Sequence, residues 1–214
     1  MFEYMCFFKA NIRTSFLSNF DSPIVNRCCR FCMAKRDEIQ EKEVSSGHYI
    51  LRSKEDHDRQ VSEVEQDPNM TKEYGVKGGC ALSVHLEHFH VVDGFPPDIL
   101  HDLLEGIVPF ELSLGLYNLI KKGYFTLDTL NNAIKQFPYT FNDKTNQPQL
   151  IPKTFSSKKT IGGNGHENWT LMRLLPLMVG HHVPENDETW EMLMNVKDIL
   201  ELAFSSRFTE ESFD

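Results

Sequence analysis

The sequence has no apolar run near the ~18 residues that a membrane-spanning helix needs, so a bilayer-spanning class is not expected. Positive charge is scarce: 22 Lys and Arg stand against 31 Asp and Glu, a formal net charge of −9. A chain held on nucleic acid by phosphate contacts ordinarily shows a basic face. Here basic residues gather only locally, around the cysteines at 27–36, at Lys121 and Lys122, and at 153–159. Strong DNA binding by this chain alone is therefore not expected. The opening MFEYMCFFKANIR lacks the positive n-region and small-residue cleavage site of a secretory signal, and the expected setting is intracellular. Cysteine is sparse and odd in number, five in all, with three at 28, 29 and 32. Such crowding suits metal binding or free thiols in a reducing compartment better than a secreted disulfide framework.

The 214 residues, 40% of them apolar, suffice for one good-sized core or one domain and part of another. Residues 1–26 form a lead-in of no clear type. Residues 27–60 carry the cysteines and a strongly charged stretch that reads as exposed helix. Asp67-Pro68-Asn69 breaks the chain, and YGVKGG (74–79) is a loop. FHVV (89–92) reads as a short strand. Pro96 and Pro97 then open a helix, where proline's missing N–H costs nothing. Apolar residues from Ile99 to Ile120 follow a broad helical stripe, which Pro109 is expected to kink or break. Lys121-Lys122-Gly123 makes a good C-terminus. Thr126 caps a second helix to about Phe137, 138–165 reads as a long loop, and two further helices cover about 167–180 and the stretch after Asn186. Thr209, followed by acids, resembles another helix start. Trp169 and Trp190 are candidate core anchors.

Chemistry-bearing residues concentrate in FHVVDGFPPDILHDLLEG (89–106). Asp98, His101, Asp102 and Glu105 lie three, one and three residues apart, which on an α-helix places them on one stripe opposite the apolar face. Carboxylates at such spacing bind Mg²⁺ or Mn²⁺, and a metal pair can activate water and clamp phosphoryl oxygens. Asp93 falls where the strand would end, a place where ligands collect. A solvated acidic face favoured by the helix dipole is the competing explanation. Cys29-Arg-Phe-Cys32 has the spacing for two thiolates on one tetrahedral zinc. No second C-x-x-C follows, and His48, His57, Cys80 and Cys28 remain as candidate partners. His88 and His90 would share a strand face, and a surface role is the simpler reading for them.

The order CRFC (29–32), LRSKEDHD (51–58), FHVVDGFPPDILHDLLEG and NWTLMRLLPLMVG (168–180) resembles transposon-derived proteins related to the transposases of CACTA-type (En/Spm, tnp2-like) DNA elements. The likeness covers about residues 20–205, and PPDILHDLLEG is its most specific part. It implies an α/β plus α fold: a fragment of a ribonuclease H-like core with a zinc-binding element (27–60), a core strand and D-x-x-H helix with the helix after it (80–137), and a helical insertion (166–214). It also implies metal-dependent DNA cleavage and strand transfer, with Asp93 or Asp98 holding Mg²⁺ or Mn²⁺ and His101 orienting. Asp102 and Glu105 are weaker candidates, and Cys29, Cys32 and His57 would hold a structural zinc. Partners would be DNA for a full-length ancestor and possible homo-oligomers, in the nucleus. The sequence departs from that pattern at both ends. NFDSPIV offers only Asp21 for a first acid, and the last acid would lie past Asp214, so an inactive fragment is expected. Two rivals stand beside it: an HD-type metal phosphohydrolase using His57, His101, Asp102 and Asp128, and a non-catalytic protein-interaction module.

Overall fold

The computed structural model describes residues 18–21, 25–27, 29–38, 47–96 and 98–205. These fall into two compact units, divided between Asp98 and Ile99. Among the described residues there is no β-strand; only two isolated antiparallel bridges occur, Phe20 with Val76 and Cys32 with Leu51. The expected α/β, ribonuclease H-like core is thereby overturned: the fold is helical.

FHVV shows why. An extended run becomes a strand only when a neighbour satisfies its backbone groups, and none is offered among the described residues. Instead, Ser83 Oγ accepts from Val91 N–H at 3.0 Å and His90 Nδ1 accepts from Val92 N–H at 3.2 Å. Both bonds satisfy the free donors of a helix start, and Val91–Gly94 winds into a short turn. Asp93 consequently stands on a helical turn, not at a strand end.

In the N-terminal unit, α1 (Lys54–Gln66) begins at Ser53, whose hydroxyl accepts from Asp56 N–H. Asp67 caps a single 3₁₀ turn, Pro68–Met70, as the Asp-Pro-Asn break suggests. Three short helices follow: α2 (Thr71–Tyr74), α3 (Ala81–His85) and α4 (Val91–Gly94). Gly75 ends α2 at φ 67°, and a Cβ there would lie 2.0 Å from Arg27 O, so both backbone hand and space require glycine. A small core of Phe20, Val76, Cys80 and Val91 lies beneath. Arg52, 6% exposed, ties the cysteine loop to the helices. Its Nε donates to Cys29 O at 3.0 Å, its Nη1 to Gln60 Oε1 at 3.2 Å and its Nη2 to Tyr74 O at 2.7 Å. Burial lowers its pKa to about 10, and the three acceptors compensate the cost of taking the charge from water.

The C-terminal unit opens with a π-helical stretch, Ile99–Ile107, which passes into α5 (Val108–Lys121). The change of winding coincides with Pro109. Its ring would clash with the carbonyl four residues back in an α-helix, and a wider turn removes that clash. The expected break is thus a change of winding. Gly123 at φ 81° ends the helix. The helices α6 (Leu127–Gln136, capped by Thr126), α7 (Phe141–Thr145), α8 (Phe155–Lys158), α9 (Gly165–Val179) and α10 (Glu188–Ala203) complete the unit. The expected loop at 138–165 therefore holds two short helices. Leu112, Leu116 and Leu119 of α5 pack with Leu130 and Ile134 of α6, Leu171, Met172 and Leu175 of α9, and Leu193 and Leu200 of α10. At ~1.5–3 kcal/mol per buried large apolar side chain, this cluster dominates the unit's stability. Trp169 and Trp190 pack against it, half-buried. By length and composition the 23-residue helix Ile99–Lys121 could cross a bilayer, but 56% of its most apolar window is buried within the protein, as in a core helix.

Candidate metal centre

The metal-type ligands that come together are not those the spacing singled out. Among the described residues, one group of three has donor atoms all within 4.8 Å of one another: His57, Asp58 and His90. His57 and Asp58 stand in the first two turns of α1, and His90 is the N-cap of α4. The Ser53 cap fixes the start of α1 and the Ser83 bond to Val91 N–H fixes the start of α4, so the elements that carry the three donors are set independently of His90's own cap.

His57 is only 2% exposed, and neither ring nitrogen has a hydrogen-bond partner. Its Nδ1 lies 3.8 Å from Asp58 Oδ1, and its ring meets those of Phe20 and His90 edge-on at 5.4 Å. Burial lowers its pKa to about 4, helped by the neighbouring His90 and Arg52 and opposed by Asp58. The neutral ring, the form that ligates metal, is thus the form the site imposes. An unpartnered polar pair in such a place is costly.

His90 Nε2 lies 3.1 Å from Asp58 Oδ1, while its Nδ1 accepts from Val92 N–H. In the neutral ring, Nε2 therefore donates to Asp58. A metal at Nε2 takes that proton's place and exchanges the Val92 cap, worth about 1 kcal/mol, for a coordinate bond. Zinc bonds of ~2.0–2.2 Å in tetrahedral array put ligand atoms ~3.4 Å apart. The two pairs that share Asp58 Oδ1, at 3.1 Å to His90 and 3.8 Å to His57, bracket that spacing, and all three donors lie within 4.8 Å of one another. Asp58, 71% exposed, leaves the site open to solvent on its side.

The expected Cys29–Cys32–His57 set does not converge. The two thiols hydrogen-bond to each other, which with burial holds the Cys32 thiol far above its ordinary pKa. Neither belongs to the His57 group. Cys80 is buried in the small core, 1% exposed, His48 packs on Tyr49, and Cys28 lies outside the described residues. Asp93 is ion-paired with Lys54 Nζ at 2.7 Å, which lowers its pKa. Asp21 pairs with Lys77 at 3.1 Å.

Asp98 closes the N-terminal unit, while His101, Asp102 and Glu105 lie on the π-helical stretch of the other. The wider winding there keeps residues four apart on one face but carries residues three apart well round the helix, so His101 and Glu105 still share a face while Asp102 turns aside, and the full α-helical stripe is not formed. Asp128 is exposed in the first turn of α6. Sequence reasoning found His57 but missed Asp58 as a ligand and set His90 aside, because their partnership spans 32 residues and has no local signature. No protein-family model, curated protein or solved structure matches this chain.

Proposed function

We propose that this chain is a transposon-derived, non-catalytic module whose N-terminal unit is held together by one zinc-class divalent ion on His57, Asp58 and His90. The observation that carries the reading is His57, buried to 2% with two unpartnered ring nitrogens beside a carboxylate and a second imidazole. Two imidazoles and a carboxylate suit zinc and its neighbours better than magnesium, which prefers oxygen ligands. The binding free energy of such an ion is folding free energy, and it would add to the small cluster of Phe20, Val76, Cys80 and Val91 seen among the described residues. The transposon ancestry rests on the resemblance in motif order alone, and nuclear residence and DNA contact go with it. Strand transfer is not part of the reading, since the acids it would need are spread over a helical fold and the chain is acidic.

Elemental analysis of the purified chain tests this. One zinc per chain is expected, lost in His57→Ala and in His90→Asn, and kept in Cys29→Ser. A metal-free wild type after refolding in zinc would overturn the reading. Zinc lost with Cys29→Ser and retained without His90 would also overturn it.

A further inference from the structure

Cys29 and Cys32 are left outside the metal group, yet their surroundings are built around sulfur. Phe31 N–H donates to Cys29 Sγ at 3.4 Å, and Ala34 N–H donates to Cys32 Sγ. Each sulfur thus receives an amide from the residue two positions on. The thiols also hydrogen-bond to each other. The turn that carries them is clamped on both sides: Met33 N–H donates to Ile50 O and Arg52 N–H to Phe31 O, both at 2.9 Å. The Arg52 guanidinium, fixed by its three acceptors, places positive charge near both sulfurs. Both cysteines are half-buried. Among the described residues no third donor completes a metal set with the pair.

We propose that Cys29 and Cys32 form a reversible thiol–disulfide couple that exchanges with a low-molecular-weight disulfide such as oxidised glutathione. The pair supplies what the exchange requires: the Cys29 sulfur, which receives the Phe31 amide beside the Arg52 guanidinium, as the attacking group, and Cys32, which keeps its proton while bonded to Cys29 and is released to resolve the intermediate once Cys29 has reacted. The Cys29 thiol gives up its proton and its sulfur attacks one sulfur of glutathione disulfide. That S–S bond breaks, and one glutathione leaves and takes up a proton. The Cys32 thiol then loses its proton and attacks the Cys29 sulfur. The Cys29–glutathione bond breaks, and the second glutathione leaves protonated. Two protein thiols become one disulfide, and two electrons and two protons pass to glutathione. This chemistry is independent of the ion on His57, Asp58 and His90.

Arg30 lies between the two cysteines, so tryptic digestion after denaturation separates them into peptides 28–30 and 31–35. The full chain, in a Cys28→Ser background and also as wild type, is equilibrated in buffers of rising oxidised-to-reduced glutathione ratio, alkylated and digested without reductant. The linked pair of peptides is expected to rise from absent to predominant and to vanish on reduction. In Cys32→Ser, where resolution is lost, glutathione is expected to remain on Cys29. Alkylation of both cysteines at every ratio would overturn the proposal. So would a separate glutathione on each cysteine of the unsubstituted pair, or thiols that react only after a chelator has stripped a metal from them.

Discussion

Asn168 Nδ2, in the first turn of α9, donates to the backbone oxygen of Leu104 at 2.9 Å, and both residues are buried to 2%. In a π-helix the Leu104 carbonyl would accept from the residue five positions on, which is Pro109 and has no N–H. The side-chain amide supplies the missing donor, and it locks α9 to the wide turn.

Replacing Asn168 with alanine leaves a buried carbonyl without a partner and should cost ~1–3 kcal/mol. With Pro109→Ala as background, the restored N–H can serve Leu104, and the cost of Asn168→Ala should fall by about half or more. A double-mutant cycle by denaturant unfolding checks the coupling. Both tryptophans, Trp169 and Trp190, belong to the C-terminal unit, so their fluorescence reports on it alone. Equal costs in the two backgrounds would break the link to proline.

Asp187 should make the same unit acid-sensitive. It caps α10 by accepting from Thr189 and Trp190 N–H, and it also takes Lys122 Nζ at 2.6 Å and Tyr124 Oη at 3.1 Å. Lys122, then the Trp190 amide and Tyr124, hold its pKa below the ordinary 3.8. A lowered folded pKa means the contribution is full above the unfolded value and is lost as pH falls through the folded one. Asp187→Asn is therefore expected to be less stable than wild type at pH 7, with the gap closing below about pH 4. Thermal unfolding followed by tryptophan fluorescence across pH measures this, and a gap that persists in acid would contradict it.

His57 predicts a trade between metal-free stability and metal binding. Its folded pKa of about 4 lies below the ordinary 6.5, so the metal-free N-terminal unit has this contribution in full above 6.5 and loses it as pH falls from there toward 4. The loss amounts to about 3 kcal/mol. Phenylalanine at 57 removes both the titration and the unpartnered nitrogens. His57→Phe is expected to flatten the acid slope and to protect α1 better than metal-free wild type at neutral pH, by hydrogen exchange. Zinc should then protect wild type and leave His57→Phe unchanged. An unaltered acid slope in the variant would mean that another group sets it.

Much of the C-terminal unit was legible in the sequence, because its signals are local. The stripe from Ile99 to Ile120, the Thr126 cap, the Lys-Lys-Gly stop and the start after Asn186 are each carried by a few adjacent residues. FHVV misled because strand propensity concerns a packed sheet, and no partner strand is present among the described residues to supply one. The D-x-x-H stripe assumed α-helical winding, which Pro109 alters. At the metal centre, His57 was visible but its partner was not: nothing near His90 announces a bond to Asp58, and the contact exists only because α1 and the cap of α4 meet.

The most direct test of the metal centre is the absorption spectrum of the chain loaded with cobalt(II) in place of zinc. A site of two imidazoles and a carboxylate gives visible d–d bands and no thiolate-to-cobalt charge transfer in the near ultraviolet. That spectrum is predicted for wild type and for Cys29→Ser/Cys32→Ser alike, and it should disappear in His90→Asn. Intense near-ultraviolet charge transfer in wild type, abolished by the cysteine substitutions, would place the metal on the thiols and contradict the account.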